Sequence, residues 1–447
     1  MGLAGEIPTS VSSLNRLRDL DLSGNELIGS FSPLINLSRL SYLSLSNNHF
    51  SGNVPCSLLT IPSLSILYLS QNHLIGTLET MNCYSTSMLE SLYLSNNRLS
   101  SGSLEPLSKF FYLKDLDLSF QNTTDPVNFV SLGFKSLESL DLSGNAISRL
   151  NIRSPNLKEL ALNECSINEF PTFIKNLPKL KTLRIANNSL KGEARQKWFS
   201  IRRFTVYLNL RNNNLTGNLP NIFDKSSYLI TLDVSHNQIT GKLPRSLTNC
   251  TNLEFVNVGS NRIADSFPFW LKDLPNLQVI VLQSNMFHGP IYSPQHPLSF
   301  PQLRIMDISG NKFTGSLPHD YFINWSKLLI SIPQEKREYV GYDSMYDYYP
   351  SMYLRSKGIN MELEKILPKS SFEGNINLCG LPLEQSCFSD KVPSTPEAQG
   401  PWPQKQEQVL NWKAAAMGYG PGVLFGLAIG QVFYSYKPVL FFKLFRL

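Results

Sequence analysis

LRDLDLSGN, residues 17–25, states a nine-residue frame, L-x-x-L-x-L-x-x-N, on which the fold turns. The frame returns as LSYLSLSNN (40–48), LSILYLSQN (64–72), LESLYLSNN (89–97) and LESLDLSGN (137–145). It occurs in thirteen turns, with its last position at Asn25, Asn48, Asn72, Asn97, Gln121, Asn145, Cys165, Asn188, Asn213, Asn237, Asn261, Asn285 and Asn311. Ten of the twelve intervals lie between 23 and 25 residues. Within the frame, side chains alternate as a strand requires, so Leu20 and Leu22 point inward and Asp21 points out. One such strand cannot bury its own leucines. Successive turns must therefore stack and share a continuous core.

The closing Asn follows the strand, where it can bond backbone groups that the bend would leave buried and unpaired. Stacked turns should align these side chains in a ladder, broken at Gln121 and Cys165, and the interval to Cys165 shrinks to 20 residues. A second phrase follows the Asn: FSGNVP from Phe50, LTGNLP from Leu215, ITGKLP from Ile239 and FTGSLP from Phe313. Its Gly suits a tight bend and its Pro ends a short second strand. This period and frame predict an α/β-type leucine-rich-repeat solenoid: curved, with one parallel strand in each ~24-residue turn on the concave side.

The chain has 447 residues, a net charge of +6 and 17% charged residues, with no basic run in the array, so nucleic-acid binding is not indicated. Six cysteines are too few to carry so long a fold. No kinase, Walker, zinc-binding or G-x-S-x-G phrase occurs, and the six His are scattered. No catalytic residue, metal or cofactor is expected, and the chain is not read as an enzyme.

The array spans 1–318. Residues 1–8 match the second half of a turn, without a signal peptide or N-terminal cap. A chain shortened at its N-terminus is expected. Cys56 and Cys83 fall in successive turns opposite the strands, and a disulfide and two free thiols both remain open. Cys165 and Cys250 read as single buried thiols. Residues 319–371 lack the frame and hold Tyr339, Tyr342, Tyr346, Tyr348, Tyr349 and Tyr353. Such an island is either a recognition element or a loose insertion. Residues 389–413, with four prolines, form a stiff stalk. Residues 414–436 contain no charge and are long enough to span the lipid bilayer as a helix. Residues 437–447 carry Lys437, Lys443 and Arg446 and no acid, which places them in the cytoplasm. Gly418, Gly422, Gly426 and Gly430 line one face of that helix, a groove for a partner helix. N-x-S/T sequons at Asn36, Asn122, Asn187, Asn214, Asn249 and Asn324 permit N-glycosylation.

The whole pattern resembles plant leucine-rich-repeat receptor-like proteins. The resemblance rests on residues 243–291, 317–325 and 357–367, on the cap SFEGNINLCGLPLEQSC (371–387) and on GYGPGVLFGLAIG (418–430). It implies a single-pass type I plasma-membrane receptor with extracellular repeats. Such a receptor binds a peptide or glycan ligand and signals in defence or development through a partner receptor kinase. It also implies that residues 372–388 cap the core with a Cys379–Cys387 disulfide. The family carries about four further repeats between island and cap, and here Leu367 runs almost directly into Phe372. A truncated, non-signalling decoy or pseudogene-like product is therefore the alternative.

A ligand should meet the side chains that the frame leaves open. Tyr68 and Tyr93 are expected to form an aromatic step, with Asp117, Asp141, Arg184, Arg211 and Asp233 supplying polar selectivity. Tyr346, Tyr348 and Tyr349 of the island are the second candidate surface.

Overall fold

The computed structural model describes residues 2–77, 87–100, 110–121, 127–193, 206–291 except 226, 300–317 except 301, 369–380, and Leu383 and Cys387. Residues 1–389 form one compact unit. Its spine is a thirteen-stranded parallel sheet, one strand to each turn of the frame. The strands are β1 (Asp19–Asp21), β2 (Tyr42–Ser44), β3 (Ile66–Tyr68), β4 (Ser91–Tyr93), β5 (Asp115–Asp117), β6 (Ser139–Asp141) and β7 (Glu159–Ala161), then β8 (Thr182–Arg184), β9 (Tyr207–Asn209), β10 (Thr231–Asp233), β11 (Phe255–Asn257), β12 (Val279–Val281) and β13 (Ile305–Asp307). Neighbours pair in strict register, Leu43 beside Leu67 and Leu67 beside Leu92. The central residue of each strand and the aliphatic residue just after the strand face the core; Leu43, Leu45, Leu67 and Leu69 have no accessible surface.

The side opposite the sheet departs from an α/β pattern. Apart from one α-helical turn, Cys56–Leu59, the described helical segments are 3-10 turns, such as Thr172–Asn176, Arg245–Asn249 and Phe269–Asp273. Each of these four follows a proline, Pro55, Pro171, Pro244 or Pro268, which fixes the entry φ. A turn of ~24 residues that already holds two strands and two bends has too few left for a longer helix. The correction is to a β-solenoid with a 3-10 back.

The ladder forms and is built with redundancy. Asn72 shows its logic: the side-chain amide donates to Leu45 O at 3.0 Å and Leu69 O at 3.1 Å, and its Oδ1 accepts from Phe50 N at 3.0 Å. Gln121 does not break the ladder, since its amide is only one methylene longer. Its Nε2 donates to Leu94 O at 2.8 Å and its Oε1 accepts from Leu99 N at 3.1 Å. Cys165 does alter it. The thiol donates to Leu142 O at 3.3 Å but does not supply the amide's acceptor. Ile147 N donates instead to the Cys165 backbone carbonyl at 3.2 Å, which the shortened turn brings within reach. One residue before the ladder, every turn takes a positive φ, from Gly24 (67°) through Asn47 (54°) and Phe120 (53°) to Gly310 (62°).

Residues 369–379 form a fourteenth layer directly on β13. Ile308 N donates to Ser371 O at 2.9 Å and Gly310 N to Glu373 O at 2.8 Å. Asn375 occupies the next ladder position, accepting from Phe313 N at 3.1 Å and donating to Ile308 O at 3.1 Å. Phe372 and Leu378 close the core. Cys379 and Cys387 are disulfide-bonded with Cα atoms 5.1 Å apart. Cys56 is also disulfide-bonded, while Cys83 lies outside the described residues; Cys165 and Cys250 are free and buried. Among the described residues no helix is long and apolar enough to cross a membrane. The segment 414–436 with Gly418, Gly422, Gly426 and Gly430, together with Tyr346, Tyr348, Tyr349, Asn122 and Asn324, lies outside them.

Candidate ligand-binding surface

Parallel strands in register place equivalent residues of successive turns side by side, so the sheet face turned away from the core is a set of columns. In the central column Tyr68 and Tyr93 stack, with ring centroids 4.4 Å apart and planes 5° from parallel. Tyr42, one column over on β2, continues the row with its centroid 5.7 Å from that of Tyr68. Tyr68 is half-buried and Tyr93 is buried, so Tyr42 and Tyr68 are the more accessible rings. The central column alone misses Tyr42; reading both outward positions of each strand would have found it.

The row turns charged at β5. Asp117 and Asp141 are register partners, and Arg184 lies two strands beyond Asp141 in the same column, with Ala161 between them. Arg211 follows β9, and its charge acts on Asp233. The column before the strands alternates in sign: Lys114 Nζ lies 2.6 Å from Glu90 and Lys158 Nζ 2.6 Å from Glu138. Over the last strands the same face is apolar, where Phe255, Val279 and Val281 form a small cluster of their own, with Ile305 against it.

The carboxylates have a second task that the frame does not announce. Asp117 Oδ1 accepts from Ser119 N at 2.9 Å, Asp141 Oδ1 from Ser143 N at 2.8 Å and Asp233 Oδ1 from Ser235 N at 2.9 Å. Asn209 and Asn257 do the same for Arg211 N and Gly259 N. These local bonds finish each strand as it enters the bend. One oxygen of each acid is thus structural, and at Asp233 the second oxygen is engaged as well, accepting from Asn257 Nδ2 at 3.3 Å. The surroundings then set the charge. At exposed Asp21 the Ser23 bonds dominate and hold the carboxyl below its usual range. At Asp141 burial dominates, and with the Asp117 charge it pushes the carboxyl up to about 6 against the pull of the Ser143 bonds and Arg184. Burial likewise raises Asp233 and Asp307.

Of the described sequons, Asn36, Asn187 and Asn214 are exposed. Asn249 is half-buried, and its amide donates to Phe223 O at 2.9 Å. Among the described residues no three His, Cys, Asp or Glu side chains converge on a metal position.

The leucine-rich-repeat family profiles match residues 205–263 and, in shorter stretches, 39–61, 88–110, 135–148 and 302–322. Receptor-like protein 54 of Arabidopsis thaliana is 38% identical to this chain over 87% of it and 74% of the relative. Receptor-like protein 41 of the same plant is 33% identical over 97% of this chain and 75% of the relative. The alignment to receptor-like protein 54 runs over 590 positions, more than the 447 residues of this chain, so that relative carries sequence inside the aligned span that is missing here. The ectodomain of the Arabidopsis thaliana membrane receptor kinase GASSHO1/SCHENGEN3, solved in complex with CASPARIAN STRIP INTEGRITY FACTOR 2, superimposes with a TM-score of 0.54 at 27% identity. That match covers 71% of this chain and 41% of the ectodomain. The plant peptide hormone receptor RGFR1, in complex with RGF2, matches with a TM-score of 0.50 at 25% identity, over 72% of this chain and 55% of that one. By repeat frame, sheet and sequence identity, the chain belongs to the plant leucine-rich-repeat receptor-like proteins.

Proposed function

We propose that this protein is a plasma-membrane receptor that binds an extracellular peptide along the outward face of its thirteen-strand sheet and has no catalytic activity of its own. The observation that carries this reading is the row running from the stacked Tyr68 and Tyr93 through Asp117 and Asp141 to Arg184 and Arg211. Rigid aromatics followed by both signs of charge on one continuous sheet suit an extended peptide with side chains of mixed character better than a neutral glycan. A peptide hormone receptor among the structural relatives supports the choice. In this reading the repeats face the exterior, the sequons carry glycans, and residues 414–436 cross the bilayer once with the C-terminus in the cytoplasm. Gly418, Gly422, Gly426 and Gly430 then receive the membrane helix of a receptor kinase, which supplies the signalling step in defence or development.

The test uses the full chain in detergent, panned against phage-displayed random dodecapeptides. A variant combining Tyr68→Ala, Tyr93→Ala, Arg184→Ala and Arg211→Ala should lose the captured peptides. Undiminished affinity would move the site to the Tyr346–Tyr349 island. Gly422→Leu with Gly426→Leu should remove a co-purifying kinase while leaving the chain in the membrane, and a kinase that still co-purifies would refute the groove. A plant-expressed chain whose mobility does not change on deglycosylation would refute the exterior topology.

A decoy that holds peptide without signalling is the second reading. It is favoured by the sequence that receptor-like protein 54 carries inside the aligned span and that this chain lacks. Peptide capture without any co-purifying kinase would select it.

A further inference from the structure

The residue that opens the ladder bend is Asn, Gln, Ser, His, Glu or Gly in every turn but one. That one is Phe120, at a φ of 53°. Asn tolerates the left-handed region because its short amide bonds locally; an aromatic side chain has no such compensation. The ring is not placed there to fill the core, for Phe120 remains 37% exposed. It is held in place from below. Its backbone N–H donates to Ser143 O at 2.7 Å, and the ring lies over Gly144, where an added Cβ would come within 2.2 Å of a ring carbon. One face is therefore pinned against a glycine. Two carboxylates are fixed to the same scaffold: Asp117 through Ser119, the residue before Phe120, and Asp141 through Ser143, the residue that receives the Phe120 N–H. Around them Lys114 and Lys158 are occupied by Glu90 and Glu138. Arg184 is the cation that acts on Asp141, so Asp115, Asp117 and Asp141 leave this stretch of the face acidic.

We propose that Phe120 is a specificity-determining contact of the peptide surface, and that it selects a basic residue, arginine or lysine, of the bound peptide. The stem of that side chain lies against the ring and its cation meets Asp117 and Asp141, combining cation–π contact with charge pairing. This rests on the peptide-binding reading above.

The experiment pans the full chain in detergent against phage-displayed random dodecapeptides and measures the selected peptide on variants. Wild type should select a recurring Arg or Lys. Phe120→Asn, which installs the residue the bend prefers, should weaken that peptide at least about tenfold while the melting temperature stays level or rises by about a degree or two. Phe120→Trp should retain affinity. Gly144→Asn, which also tolerates the bend, should displace the ring and lose affinity with Phe120 still present. A ring that merely packs would behave in the opposite way: Phe120→Asn would lower the melting temperature and leave binding unchanged. That result, or selected peptides without a basic residue, overturns the inference and leaves peptide binding standing. A library that yields no peptide overturns both.

Discussion

Asn261→Ala tests the ladder at a buried position. Its amide donates to Val234 O and Val258 O at 3.0 Å and to Gly259 O at 3.3 Å, and its Oδ1 accepts from Ile239 N at 2.9 Å. The donor side is redundant. Val234 O also accepts from Asn237 and Val258 O also accepts from Asn285, so both carbonyls stay bonded in the variant. The acceptor side is not redundant. Ile239 is wholly buried, and its N–H loses its partner outright. A bare buried N–H costs about 1–3 kcal/mol, and the net value of the remaining bonds adds about 1 kcal/mol. The expected loss is thus about 2–4 kcal/mol. Because a solenoid is stabilised mainly between nearest neighbours, the loss should be local. Urea unfolding of the full chain should show an earlier transition, and hydrogen exchange should show the Ile239 amide deprotected while Leu43 and Leu67 are unaffected. A loss below about 0.5 kcal/mol, or an Ile239 amide protected as before, would refute the assignment of the ladder's strength to its acceptor.

Three further outcomes follow from the same geometry. Since burial raises Asp141 to about 6 from an unfolded 3.8, the folded chain binds more protons between those values; stability attributable to this group falls as pH rises through that window, and Asp141→Asn should flatten the fall in thermal unfolding scans. Removing the Cys379–Cys387 bond by serine substitution should loosen the terminal layer by about 2–3 kcal/mol from loop entropy, seen as faster exchange of the Ile308 and Gly310 amides. Gln121→Asn should leave the melting temperature within about two degrees of wild type, because either amide provides the same donor and acceptor.

The strands, their order and their register were legible because a repeated apolar period has one way to bury itself. The misreadings are local and have physical causes. Gln121 looked like a break because the letter changed, yet an amide one methylene longer does the same work. At Cys165 the compensation comes from a backbone carbonyl, which no side-chain pattern encodes. Asp117, Asp141 and Asp233 carry an added role that the frame does not show, since each also finishes its own strand through the Ser two residues on. Tyr42 and Phe120 were hidden because they sit outside the central column, and the weight of Phe120 rests on a φ value that sequence does not print. Among the described residues the back of the solenoid is 3-10 apart from the single α-helical turn Cys56–Leu59, because the turn is too short for a longer helix.

Asn375 reaches across 62 residues to bond Phe313, yet the seam it makes is indistinguishable from that between consecutive turns. A fastening that is the same at every layer does not register which layer it holds. Whole turns can then be gained or lost at such a seam without new chemistry on either side. The length of this scaffold is a quantised variable, changing by one turn at a time, while any part-turn change would push a leucine to the surface and strand an amide in the core.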